Sequence, residues 1–195
     1  MYKTMIAILV GLLLVGGGVY YFAHPAVSPE EVGETDQTSA SVSTGNISSL
    51  KNTAFTFGGA TIKLTDGVSE TSGSALVNGI RYFGNEAEGD LNGDGTPDAA
   101  FLVTQSLGEN NTIYYVVAAT KDDAGYHGTN AMLLGEGIAP QTTEIRDGEL
   151  IVNYAVRPTG APATEKPSID RTSRFRLMNN ILLPSVPGMP AIPAM

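Results

Sequence analysis

Residues 96–105 read TPDAAFLVTQ, and whether they form a helix or a strand decides the fold class. Thr96, Pro97 and Asp98 carry a helix-start pattern: an N-cap hydroxyl, a proline at the first helical position and an acid in the first turn. The apolar run behind them is short, carries aromatic and β-branched residues, and meets Gly108 soon after. Helices of ordinary length need ten or more periodic residues, whereas buried strands are runs of this size. We read the run after Asp98, AAFLVTQ (99–105), as a strand.

The segments on either side alternate with period two. AFTFGGATIKLTDG (54–67) is a pair of short runs joined at Gly58-Gly59, a hairpin signal. IRYFG (80–84), TIYYVVAATK (112–121) and NAMLLGEGI (130–138) are strand-like, and DDAGYHG (122–128) is a turn-rich connection. QTTEIRDGELIVNYAV (141–156) turns at Asp147-Gly148, and TSRFRLM (172–178) sets Phe175 and Leu177 against Arg174 and Arg176 on opposite faces. The expectation is a mostly β chain: one antiparallel domain over 53–178, sandwich or meander-like, with about eight to ten short strands. Residues 157–168, RPTGAPATEKPS, form a long surface loop.

Composition removes several chemistries. The chain has 195 residues, no cysteine, and two histidines, His24 and His127. Disulfides, thiolate metal sites and cysteine nucleophiles are excluded, and a histidine zinc site or Ser-His-Asp triad is improbable. A net charge of −9 argues against nucleic acid and suits cations.

The ends differ from the middle. Residues 5–22, MIAILVGLLLVGGGVYYF, form an uncharged run near the roughly 20 residues that a bilayer-crossing helix needs. Lys3 before the run favours a cytoplasmic N-terminus, and Tyr20, Tyr21 and Phe22 at its end suit the membrane interface. Residues 1–24 are therefore a membrane anchor or a cleaved signal segment. Either way the domain lies outside the cytoplasm, tethered in the first case and secreted in the second. Residues 25–52, rich in Ser, Thr, Glu, Gly and Pro, read as a flexible, disordered linker. Residues 179–195 carry Pro184, Pro187, Pro190 and Pro193 at every third position and read as a disordered tail, or as a proline motif recruiting a partner.

The strongest chemical signal immediately precedes the deciding strand. In GDLNGDGTPD (89–98), Asp90, Asn92, Asp94 and Asp98 stand at positions 1, 3, 5 and 9, with Gly95 permitting the sharp turn after position 5. A backbone curling around calcium offers alternate side chains and one carbonyl. The candidate ligands are the side chains of Asp90, Asn92, Asp94 and Asp98 with the Thr96 carbonyl, and the all-oxygen set favours Ca2+. The alternative is a plain Asp/Asn/Gly turn.

This stretch resembles the D-x-[DN]-x-D-G-x-x-D calcium loops of dockerins, EF-hands and FG-GAP/VCBS repeats. Position 12, where an EF-hand carries a bidentate glutamate, is Phe101. The likeness is closer to the FG-GAP/VCBS form, in which an Asp at position 9 closes the site and a strand follows. The chain has one copy and no clear internal repeat, so it matches neither a dockerin nor a propeller. More broadly, the stretch from RYFGNEAEGDLNGDGTPDAAFLVTQ to RDGELIVNYA resembles a group of short, uncharacterised, membrane-anchored bacterial proteins. That resemblance implies export and a calcium loop, with no known activity.

No catalytic residue or organic cofactor is expected. Glu86 and Glu88 share a strand face and offer a second reading, a carboxylate-dependent hydrolase. Tyr82, Tyr114, Tyr115, Tyr126 and Tyr154 suit packing better than sugar stacking. The leading expectation is a non-enzymatic, membrane-tethered β-domain with a structural calcium site. Its role is binding or structural at the cell surface, with a protein or glycan ligand left open.

Overall fold

The computed structural model describes residues 44–69, 79–108 and 111–185. The membrane segment, most of the linker and the distal tail lie outside the described residues. Among the described residues are twelve strands and one short helix, α1 (Thr44–Leu50). The chain is mostly β, and its strand ladders are antiparallel.

The deciding segment is a strand, β5 (Asp98–Ser106), paired with β4 (Ile80–Gly89) and β6 (Thr112–Asp122). Its residues are buried continuously from Asp98 to Val103 because both of its faces are covered. Ala99, Phe101 and Val103, with Val117 and Ala119 of β6, enter one core containing Leu50, Phe55, Ile62, Leu64 and Ile80. Ala100 and Leu102, with Val116 and Ala118, enter a second core against Leu150, Val152, Tyr154, Phe175 and Leu182. Two-sided burial erases the polar half of the alternation, which is why this strand reads as an unbroken apolar run. Each large side chain so buried stabilises the fold by about 1.5–3 kcal/mol.

The first sheet runs in sequence order from β1 (Ala54–Phe57) through β2 (Ala60–Thr65), β3 (Val68–Ser69), β4, β5 and β6 to β7 (Gly125–Gly128). β8 (Met132–Glu136) pairs with the β6 edge. The β1–β2 turn has Gly58 and Gly59 at φ 56° and 84°, the left-handed pair that a two-residue hairpin requires. The sheet curls back on itself. Thr56 N–H donates to Thr129 O at 2.9 Å, and Ala131 N–H donates to Thr56 O at 2.8 Å. Glycine is obligatory beside this seam, since a Cβ on Gly128 would stand 2.3 Å from Ala54 O. The sequence treats 122–128 as turn only, but its second half is β7. The Asp122 carboxylate accepts from Ala124 and Gly125 N–H, tightening the turn into a hairpin.

The second sheet, in order β12-β11-β10-β9, consists of β9 (Ala139–Arg146), β10 (Glu149–Val156), β11 (Ile169–Met178) and β12 (Ile181–Pro184). Asp147-Gly148 forms the β9–β10 turn, and residues 157–168 connect β10 to β11. Glu149 holds the far corner, accepting from Arg174 at 2.7 Å and Ser185 at 2.6 Å. The outer edge of β12 is also satisfied. Asn130 accepts Leu182 N–H at 2.7 Å and donates to Leu182 O at 3.0 Å, a side chain doing the work of a neighbouring strand.

Two boundaries move relative to the sequence reading. The linker expected through residue 52 gives way to α1 at Thr44, and Leu50 is fully buried. The seven residues of TGNISSL have weak helix propensity, so these roughly two turns depend on packing that composition does not reveal. The tail expected from 179 begins as structure: Asn179-Asn180 turn with φ 50° and 60°, and β12 follows with Leu182 fully buried. Pro184 is tolerated because it ends an edge strand.

Candidate metal centre

The loop between β4 and β5 begins at a crossing point. A Cβ on Gly89 would lie 2.8 Å from both the Ile145 carbonyl oxygen and its Cγ2, so only glycine lets β9 pass over the end of β4. From there the chain turns on its own carboxylates. Asp90 accepts from Gly93 N–H at 2.7 Å on one oxygen and from Gly95 N–H at 2.9 Å on the other. Asn92 Oδ1 accepts from Asp94 N–H at 2.8 Å, and Asp94 Oδ1 accepts from Thr96 N–H at 2.7 Å. The Asn92 amide donates to Asp94 Oδ2 at 2.7 Å. Gly93 and Gly95 both stand at φ 83°, where a side chain would be strained.

Asp98 differs from the other three. It is fully buried, and its two oxygens take three backbone N–H bonds: Leu91 at 3.0 Å and Asn92 at 3.1 Å on Oδ2, and Lys121 at 3.0 Å on Oδ1. Burial pushes its carboxyl above the ordinary aspartate value. The three N–H bonds pull the other way without cancelling burial, and the nearby Asp94 charge adds to the rise. Asp94 is exposed and is held below its ordinary value, chiefly by the Thr96 N–H and then by the Asn92 amide. Asp98 thus ties the loop to β6, while Asp90, Asn92 and Asp94 shape the loop itself.

The four side chains share one loop but do not converge. Among the described residues, no three Asp, Glu or His side chains gather closely enough to hold an ion. The donor set nevertheless suits calcium. Each Asp90 oxygen accepts one bond and retains a lone pair. Asn92 and Asp94 are exposed, and their bonds lie within the loop itself. No Lys or Arg among the described residues forms an ion pair with Asp90, Asp94 or Asp98. Phe101, at the position of an EF-hand's closing glutamate, is fully buried.

Glu86 and Glu88 serve neighbours. Glu86 accepts from the Tyr82 hydroxyl, and Glu88 accepts from the Asn46 amide of α1. Burial first, then Glu86, drives the Tyr82 phenol above its ordinary range. Three of the tyrosines make ring contacts: Tyr82 on Phe101 at 5.2 Å, Tyr115 on Phe57 at 4.8 Å and Tyr114 on Phe83 at 5.3 Å. Tyr154 is buried and bonds Ser173, and Tyr126 lies under Lys121. His127 pairs with Asp122 at 3.0 Å, a contact that the turn-like sequence around it does not announce.

Compared with protein-family models, curated proteins and solved structures, the chain matches none.

Proposed function

We propose that this protein is a non-enzymatic β-domain displayed outside the cytoplasm. Residues 5–22 tether it to the membrane, and the loop at 90–98 takes a structural calcium ion. One observation carries the reading: three carboxylates and an amide in the 1-3-5-9 spacing, without a basic partner, lie at the junction of β4, β5 and β6. Asp90, Asn92, Asp94, Asp98 and the Thr96 carbonyl would hold the ion. Turning the exposed Asn92 and Asp94 toward it gives up loop hydrogen bonds worth about 0.5–1.5 kcal/mol each. Calcium would supply positive charge where Asp94 and the buried Asp98 repel each other, so binding and folding stability are coupled. The missing closing glutamate implies modest affinity, about 10⁻⁴–10⁻³ M, in keeping with extracellular modules.

The test is thermal melting of the full-length chain in detergent, with and without millimolar calcium. The reading expects calcium to raise the melting temperature and magnesium to have a smaller effect. An unchanged melt would sink it. Protease digestion of intact cells addresses the tether: cleavage of the domain from outside supports it, and protection refutes it.

A further inference from the structure

A second feature lies beside the loop. An open cleft of about 400 Å³ is lined by Asn92, by Thr120, Asp122 and His127 of the β6–β7 hairpin, and by Leu177 and Asn180 of the β11–β12 hairpin. We propose that it binds a neutral, hydroxyl-rich ligand, a saccharide in chemical class.

Bonds within the protein fix some of the lining groups and leave others available. Asp122 places all its protein bonds on Oδ1: Ala124 N–H at 2.8 Å, Gly125 N–H at 3.2 Å and the His127 ring at 3.0 Å. Its Oδ2 has no protein partner among the described residues. Asn180 Oδ1 accepts from the Thr120 hydroxyl at 3.2 Å, a hydrogen it shares with the His127 carbonyl at 3.4 Å, and its Nδ2 is left as a donor. His127 engages Asp122 through Nε2, leaving Nδ1. An acceptor, a donor and an imidazole nitrogen are thus held by bonds to their own neighbours, so little ordering remains for a ligand to impose. Asp122 and His127 are both more than half exposed, so a ligand reaches them without rearrangement.

The same groups select the ligand class. Hydroxyls donate to Asp122 Oδ2 and accept from Asn180 Nδ2, and adjacent hydroxyls on one ring can do both. Leu177 offers an apolar wall to a C–H face. An anion meets Asp122 and the neighbouring Asp94 with no Lys or Arg lining the cleft, and an apolar ligand finds only Leu177. The volume falls within the roughly 300–1,000 Å³ of small-ligand sites. Only Asn92 is shared with the proposed calcium ligands, so either reading can fail alone.

The test is saturation-transfer NMR with calorimetry on the full-length chain, run in calcium and again in EDTA. The probes are maltotetraose, chitotetraose and, as an anion, oligogalacturonate. The expected result is binding of a neutral probe with Kd of about 1 mM. Asp122→Asn and Asn180→Gly should each weaken it about fivefold or more, and Leu133→Ala on β8 should leave it unchanged. Glycine at 180 keeps the left-handed turn, so that variant decides the matter if Asp122→Asn does not fold. No binding of either neutral probe at about 10 mM, tighter binding of the anion, or indifference to both cleft variants would overturn the proposal.

Discussion

Replacing Asp98 with alanine should damage the fold well beyond what losing one loop residue suggests. The carboxylate is fully buried and takes three backbone N–H groups, from Leu91, Asn92 and Lys121. Alanine orphans all three. A buried unpaired donor costs about 1–3 kcal/mol; the Leu91 bond is buried and the other two are part-buried, so we assign about 2 kcal/mol to the first and about 1 kcal/mol to each of the others. Removing a buried charge that burial disfavours returns about 1 kcal/mol, leaving a net loss of about 3 kcal/mol. In a domain of this size that lowers the melting temperature by about 6–12 °C. Asparagine keeps one acceptor but turns an NH2 toward an N–H donor, so Asp98→Asn should fall between wild type and alanine. Urea unfolding followed by tyrosine fluorescence measures both, with an expected midpoint shift of about 1–2 M for alanine. A loss below about 1 kcal/mol for Asp98→Ala would refute the view that Asp98 ties the loop to β6.

Other variants probe the remaining elements. Phe101→Glu, which restores an EF-hand-like residue in sequence, should prevent folding, because that side chain is fully buried in the first core; circular dichroism should show a lost sheet signal instead of tighter calcium binding. Asn130→Ala should cost about 1–2 kcal/mol by leaving the Leu182 N–H and C=O unpaired at the β12 edge, and hydrogen exchange at Leu182 should accelerate. Glu149→Gln should cost about 1 kcal/mol at pH 7. Ser185 first, then Arg174, holds Glu149 below its ordinary 4.5, so its stabilisation is complete above that value and is lost as pH falls through the folded value. The gap between wild type and variant in a urea series should therefore close only below 4.5. Asp98 behaves oppositely. Its folded value is raised above 3.8, so protonation adds an increment of stability that is complete below 3.8 and lost as pH rises through the folded value, while the three N–H bonds to the carboxylate remain above it.

The strand content was legible where local chemistry was decisive. Gly58-Gly59 and Asp147-Gly148 mark their hairpins because a two-residue turn needs left-handed residues. The run from Ala99 to Val103 is too short for a helix and too apolar for a surface strand, which is the mark of burial on two faces. What escaped depends on distant partners. Thr44–Leu50 is helical because Leu50 enters a core assembled from β1, β2, β4, β5 and β6. Ile181–Pro184 is a strand because Asn130 and β11 hold it, although its sequence looks like the start of a proline-rich tail. In the loop, spacing identified the carboxylates but not their division of labour. Whether an aspartate faces solvent or three backbone amides depends on Lys121, which lies 23 residues further along the chain.

The calcium assignment is tested most directly by calorimetric titration of the full-length chain with calcium, beside the Asp90→Ala variant. The wild type should show one site with Kd of about 10⁻⁴–10⁻³ M and the variant none. The absence of binding at about 10 mM calcium, or equal binding by the variant, would contradict it.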